Sequence, residues 1–255
     1  MSKAATNPPE ILLSARQLSR GFGGLRAVDD VSLTLVRGAL HAVIGTNGAG
    51  KSTLINLLSG ELAPHAGQIE LLGQDVTGWR QPRRARAGLG RSYQRNTIFP
   101  EFTAFENCRL SAQAHRPAPW NWLAPATRCR FSSERAADAI ARAGLNAVAD
   151  RIAGTLSHGQ KRQLEIAMCL AGRPRVLLLD EPLAGMGAEE TERMLALLHE
   201  LLDGHAIMLV EHDMDAVFRV ADRITVMVDG RVIASGEPAA VRNDPGVQLA
   251  YLGQA

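Results

Sequence analysis

The sequence predicts an α/β fold with a mostly parallel central sheet, an N-terminal antiparallel β subdomain and an inserted α-helical subdomain. Three observations point there. His41 to Ile44 is a short apolar strand that runs into a glycine-rich loop, and Lys51 to Leu58 resumes with helical character. Val176 to Leu179 and Ile207 to Val210 are continuous apolar runs, as expected of strands covered on both faces in a parallel sheet. Between those runs Met194, Leu197, Leu198 and Leu201 recur at i, i+3, i+4 and i+7, the period of a helix with one buried face.

Each element has its own justification. Ile11 to Leu35 mixes apolar and polar residues around Gly23 and Gly24, which reads as short antiparallel strands about a turn. The helix before Ile207 carries Glu189 and Glu190 in its first turn, where they suit the positive end of the helix dipole, and Gly204 supplies its stop. Residues 96–171 differ in composition: Ala136, Ile140 and Ala143 give a helical period, and Arg116 to Pro125 is a Pro-rich break. The chain therefore reads as one domain over 1–255, with a core of 1–95 and 172–255 and a helical lobe of 96–171. No repeat of solenoid spacing is visible.

Bulk properties narrow the function. With 255 residues and 46% apolar content the chain can bury a full core. A formal charge of +2 lacks the strong field of a dedicated nucleic-acid binder. Cys108, Cys129 and Cys169 show neither paired spacing nor an even count, so a disulfide framework or zinc site is not expected. Met1 to Glu10 has no apolar stretch of the secretory kind, and every apolar run falls far short of the roughly 20 residues that cross a bilayer. The expected location is the cytoplasm, and a membrane role would require docking on other subunits.

The chemistry centres on Gly45-Thr-Asn47-Gly48-Ala49-Gly50-Lys51-Ser52-Thr53, a full phosphate-loop pattern after a strand and before a helix. Its glycines let backbone N–H groups turn inward around a β-phosphate, and the helix that follows adds its positive end. Lys51 would neutralise β and γ oxygens, and Ser52 would ligate Mg²⁺. Asp180 and Glu181 end a buried strand, where ligands bind in open α/β sheets. Asp180 would hold Mg²⁺ and Glu181 would orient or deprotonate an attacking water. His212, in Val-Glu-His-Asp after another strand, would reach the same edge and sense the γ-phosphate.

At Leu156-Ser157-His158-Gly159-Gln160, followed by Lys-Arg-Gln-Leu-Glu-Ile-Ala167, the sequence resembles the ABC ATPase family. The resemblance covers nearly the whole chain, since Phe22 matches the adenine-stacking aromatic, Gln94 the Q-loop glutamine, Asp180 and Glu181 the acidic pair, and His212 the switch histidine. It implies a RecA-like P-loop NTPase core, ATP and Mg²⁺, with Gln94 beside Ser52 and Asp180 at the metal and with Lys51 and Gln94 joining Glu181 and His212 in catalysis. It also implies a dimer in which Ser157, Gly159 and Gln160 of one subunit complete the phosphate loop of the other. His158 departs from the family's usual glycine, so its backbone must accept a side chain. Gly187 replaces the aspartate that commonly ends the D-loop, which removes a polar contact across the dimer.

Within the family the tail, from Gly236-Glu-Pro through Val241-Arg-Asn-Asp-Pro245 to Ala250-Tyr-Leu-Gly253, resembles ATPases of branched-chain amino acid and amide importers, of the longer type because of the segment around Asn121. The implied partners are membrane permease subunits, a second ATPase that is identical or homologous, and an extracytoplasmic binding protein. The implied place is the inner face of the cell membrane. An exporter motor for lipid or polysaccharide, and a soluble ABC ATPase, are the alternatives. Phe99-Pro-Glu-Phe102 reads either as a permease groove or as ordinary lobe packing. Arg80, Arg83, Arg84, Arg86 and Arg91 read as a solvated basic face or else a lipid-headgroup or permease contact, and Trp120 and Trp122 as anchors of a long loop or else an exposed docking patch.

Overall fold

β1 (Ile11–Phe22) and β2 (Leu25–Val36) pair antiparallel about the turn at Gly23 and Gly24. They are not the short strands the sequence suggested, for each runs 12 residues. A bulge between Ala15 and Leu18, where Gln17 takes a φ of 51°, lets the pairing continue past polar residues. β4 (Ala66–Leu71) and β5 (Gln74–Asp75) complete this antiparallel sheet in the order β2-β1-β4-β5. The computed structural model describes residues 9–94, 97–115 and 129–252.

The central sheet contains β3 (Leu40–Gly45), β6 (Leu89–Arg91), β7 (Val176–Asp180), β8 (Ala206–Val210), β9 (Arg223–Val228) and β10 (Arg231–Gly236), ordered β10-β9-β3-β8-β7-β6. All neighbours run parallel except β10. Every residue of β3, β7 and β8 is buried. Their side chains alternate between two cores: Ala42, Ile44, Leu177, Leu179, Ile207 and Leu209 face one. Val43, Val176, Leu178, Met208 and Val210 face the other, which also holds the antiparallel sheet. A sheet wet on one side would have shown polar alternation, so two-sided burial explains the unbroken apolar runs.

α1 (Lys51–Ser59) follows β3 and buries Leu54, Ile55, Leu57 and Leu58. Its C-terminus is closed by an arginine from α2 (Gln81–Arg86). Arg84 is fully buried and donates to the carbonyls of Leu57 and Leu58, both at 2.8 Å, and to those of Thr77 and Trp79, both at 3.0 Å. Burial pushes its pKa down to about 10, so it is still charged near neutrality. Arg91 donates to Ser59 and Asn56, at 2.6 Å each, and pairs with Glu61. The expected solvated face thus needs correction: Arg80, Arg83 and Arg86 are exposed, whereas Arg84 and Arg91 are drawn in by α1. A helix end leaves carbonyls unpaired, and a guanidinium offers five donors in a fixed fork.

α3 (Ala104–Gln113), α4 (Arg130–Arg142) and α5 (His158–Leu170) pack together between β6 and β7 in the chain. Thr103 with Glu106 and Ser157 with Gln160 form reciprocal capping boxes that fix where α3 and α5 begin. Ala136, Ile140 and Ala143 are buried, as their period demands. α6 (Ala188–Leu201) connects β7 to β8, and α7 (Met214–Val220), α8 (Pro238–Arg242) and α9 (Pro245–Leu252) follow. Among the described residues no helix is long and apolar enough to cross a membrane. Asn121, Trp120, Trp122 and the Pro-rich break lie outside the described residues.

Replacing Arg84 with Met keeps bulk but strands carbonyls at the end of α1. We expect unfolding free energy to fall by about 2–4 kcal/mol in urea titrations, a sum of lost buried hydrogen bonds. An unchanged midpoint would show that the carbonyls find other donors.

Candidate functional site

The phosphate loop is wedged into place by backbone. Gly45 passes so close to β9 that a Cβ there would meet the Met227 carbonyl oxygen at 2.2 Å. Gly50 has a φ of 97°, and a Cβ there would lie 2.1 Å from the Ala27 carbonyl oxygen of β2. Beside Ala27, Gly230 donates to the Ala49 carbonyl at 3.1 Å and accepts from Asp29 N–H at 2.8 Å. Asp29 is itself held by Arg231 and Arg26, whose hydrogen bonds keep its carboxyl below the usual range. Ala49 is buried, while Asn47, Gly48 and Ser52 are exposed and Thr53 half-buried.

α1 begins at Gly50 with no side-chain cap and no acidic residue in its first turn. Its positive end is therefore left for an anion. Lys51 is folded over the loop, with Nζ donating to the Gly45 carbonyl at 2.6 Å and to that of Thr46 at 3.0 Å. Burial lowers its pKa, and the nearby Glu181 and Asp180 carboxylates act the other way.

Strand order brings the remaining groups to this loop. β3, β8, β7 and β6 are consecutive and parallel, so their carboxyl ends share one edge. The loop follows β3, His212 follows β8, Asp180 and Glu181 end β7, and Gln94 follows β6. Asp180 is buried, which raises its pKa, with Glu181 adding to the rise and Arg91 and Lys51 opposing it. Gln94 Nε2 donates to Glu181 Oε2 at 2.9 Å. His212 Nδ1 lies 4.0 Å from Glu181 Oε1, and its side chain is 62% exposed, leaving it accessible to a ligand.

Glu181 has a φ of 49°, a left-handed conformation that costs a residue with a Cβ about 1–2 kcal/mol. A bond from its N–H to the Val210 carbonyl, 2.9 Å, holds that turn. Nothing in the residue types announces this strain.

Mg²⁺ prefers oxygen ligands in an octahedral set, and the Ser52 hydroxyl, Gln94 amide and Asp180 carboxyl are oxygen donors. Among the described residues no cluster of three or more His, Cys, Asp or Glu could cage a metal unaided. Such an ion would complete its shell with phosphate oxygens and water, and would offset the crowding of Asp180 and Glu181 noted above.

Ser157, Gly159 and Gln160 are not brought to this chain's own phosphate loop. They open α5, where Gln160 N–H donates to Ser157 Oγ at 3.2 Å and Ser157 N–H to Gln160 Oε1 at 3.0 Å. Ser157 Oγ and Gly159 N–H both donate, at 3.3 Å, to Glu190 Oε1 of α6. A Cβ at Gly159 would meet that carboxylate at 2.7 Å. His158 sits in the first turn of the helix without a positive φ, and its Nε2 donates to the Ala184 carbonyl at 2.9 Å. The departure from glycine is therefore tolerated. Gly187 is the N-cap of α6 with no side-chain bond, the place where an aspartate would have capped.

Sequence reasoning also missed a clamp. Farther along α5, Arg162 donates to the Tyr93 and Gln94 carbonyls at 3.3 and 3.1 Å, and to Glu165 at 2.9 Å. Glu165 accepts from Thr97 N–H at 3.2 Å, so α5 holds backbone at Tyr93, Gln94 and Thr97. The signal was an acid and a base at i and i+3 on a helix, which sequence alone cannot distinguish from a surface pair.

Phe22 ends β1 at the hairpin tip, 46% exposed, with the Arg20 guanidinium 5.1 Å from its ring centroid. Phe99 and Phe102 are 47% and 42% exposed and stack on each other at 5.4 Å, so neither ring is enclosed in the core of the lobe. Near them a cavity of about 210 Å³ lies between β6, α3 and α5, bordered by Tyr93, Thr97, His115 and Met168.

Comparison with known proteins decides the family. The model of the ABC transporter family matches residues 28–184, more than half of the chain. The chain belongs to the ABC transporter ATP-binding cassettes. It is 41% identical over 253 residues to the high-affinity branched-chain amino acid transport ATP-binding protein BraF of Pseudomonas aeruginosa, covering 96% of this chain and 98% of that one. LivG of Escherichia coli, of the same description, is 40% identical over 252 residues, with the same coverage. The crystal structure of a nucleotide-free ATP-binding cassette from an ABC transporter has a TM-score of 0.85 at 28% identity, covering 94% of this chain and 98% of that one. A cassette crystallised in its ADP conformation gives 0.83 at 29%, covering 95% and 99%. A second family model, the branched-chain amino acid ATP-binding cassette transporter, matches residues 231–255. As an ABC cassette the chain binds ATP and is an ATPase of a transporter.

Placing a Cβ at Gly50 forces the Ala27 carbonyl or the loop to move. For Gly50→Ala we expect near-native circular dichroism and ATP affinity reduced on the order of tenfold or more, since 1.4 kcal/mol of distortion suffices for that. Unaltered affinity in a fluorescent-nucleotide titration would count against the wedge.

Proposed function

We propose that this cassette powers import of branched-chain or other hydrophobic amino acids, or related small amides, at the cytoplasmic face of the inner membrane. The observation that carries the cargo assignment is the tail, because residues 231–255 match the branched-chain cassette model while relatives named for that transport are similar over almost their whole length. Integral permease subunits bind the cassette, and an extracytoplasmic protein delivers the cargo. The exposed Phe99 and Phe102 pair supports the permease contact, since two large apolar rings in water gain from being covered.

In this reading the amides from Gly45 to Thr53 and the ammonium of Lys51 bind the phosphates, and Phe22 stacks on adenine. Ser52, Gln94 and Asp180 would hold Mg²⁺, which would supply positive charge to offset that of the phosphates. Glu181 orients and deprotonates the attacking water. Gln94, bonded to its carboxylate, keeps one oxygen aimed, and His212 donates to the γ-phosphate.

The cassette acts as half of a dimer with a second copy or a homologue. Support comes from the separation of Ser157, Gly159 and Gln160 from the loop of the same chain, which leaves them to serve the other one. Their donors are engaged by Glu190, and a hydroxyl has a single proton. Pairing therefore exchanges one anion for another: the carboxylate withdraws as the partner's γ-phosphate arrives, because two anions on one donor pair repel. Hydrolysis reverses the exchange.

Two experiments test this reading. Glu181→Gln should retain ATP affinity, lose nearly all hydrolysis and elute as a dimer in ATP; hydrolysis at the parental rate contradicts the role of Glu181. Adding Glu190→Gln to that variant removes the negative charge that competes with the γ-phosphate, and ATP-dependent pairing should tighten on the order of tenfold, the worth of about 1.4 kcal/mol. Weaker pairing in sedimentation would mean that Glu190 supports the contact.

A further inference from the structure

Glu211, the residue before His212, is fully buried just after β8, and among the described residues no arginine or lysine pairs with its carboxylate. Its Oε1 accepts from Leu183 N–H at 2.8 Å, and its Oε2 accepts from His212 N–H at 3.2 Å. The two oxygens thus reach two different loops. Leu183 begins the turn that leads from Asp180 and Glu181 toward Gly185 and α6, while His212 belongs to the loop after β8. Glu181 is a second acid close by, and burial, the larger cause, together with that neighbour raises the Glu211 pKa.

Burying a carboxylate without a cation is costly, and an apolar side chain would pack the same place more cheaply. A carboxylate offers something that no apolar or amide group of this length can: two acceptor oxygens with no donor. A glutamine would satisfy one N–H and turn its own NH₂ toward the other. We propose that Glu211 is a positioning residue for ATP hydrolysis, tying the turn after Glu181 to the loop of His212 so that the two side chains face one reaction volume. The inference rests on the roles proposed above for Glu181 and His212. The His212 Nδ1 stands 3.8 Å from Glu211 Oε2 and 4.0 Å from Glu181 Oε1, between the tie and the group it aligns.

The test uses the full chain with Glu211→Gln, Glu211→Asp, His212→Ala and the double variant Glu211→Gln with His212→Ala. Turnover is scored per ATP-binding-competent molecule, so that partial misfolding does not enter. For Glu211→Gln we expect ATP affinity and KM within about twofold of the parent and kcat lowered about tenfold, the equivalent of one lost buried hydrogen bond. Glu211→Asp keeps the charge but is one methylene short of spanning both loops, so the same split is expected and stands in should the Gln variant not fold. The double variant should be no slower than His212→Ala by more than about twofold, because residues acting through one another do not add. Parental kcat in both Glu211 variants overturns the proposal, as do losses that multiply in the double variant, which would mark a separate structural effect. Parental kcat in His212→Ala would instead remove the reading of the site itself, and this inference with it.

Discussion

Parallel pairing of β3 with β8, β8 with β7 and β7 with β6 is the constraint on which the rest depends. Parallel strands cannot be joined by tight turns, so each must be followed by a crossover, and each crossover leaves from the same edge. That edge therefore gathers a phosphate loop, a histidine, an acidic pair and a glutamine from residues as far apart in the chain as Gly45 and His212. Burial on both faces makes the sheet a rigid base, and the groups on its rim inherit that rigidity.

Polar groups in the interior serve mainly to pin loops. Arg84 ends α1, Asp29 holds the turn that presses on Ala49, Arg162 and Glu165 grip the segment bearing Gln94, and Glu211 joins the turn at Leu183 to the loop of His212. Arg84, Arg162, Glu165 and Glu211 are buried and hydrogen-bonded to backbone, and Asp29 is held by two guanidiniums, so each exchanges hydration for orientation. Isolated ion pairs on the surface, such as Arg130 with Glu134, contribute little by comparison.

α5 links two functions in one rigid element. Its N-terminus carries the donors that would serve a partner's nucleotide, and its second and third turns hold the backbone at Gln94 beside this chain's own nucleotide site. A 13-residue helix cannot tilt at one end without moving the other. In the proposed dimer this helix would be the shortest physical link between the two nucleotide sites.

The sequence by itself determined the buried parallel strands, the loop before α1 and the family. Unbroken apolar runs gave β3, β7 and β8, the glycine pattern gave the loop before α1, and the residues at Asp180, Glu181 and His212 declared their edge, because these depend on local spacing and burial. Tertiary structure alone decided which charges are structural. Arg84 and Arg86 lie two positions apart in one basic run, yet one is sealed against the end of α1 and the other is in water. The left-handed turn at Glu181, the hold of Glu190 on Ser157 and the two loops joined by Glu211 were equally illegible, since each is fixed by a partner dozens of residues away or by strain that only packing can sustain.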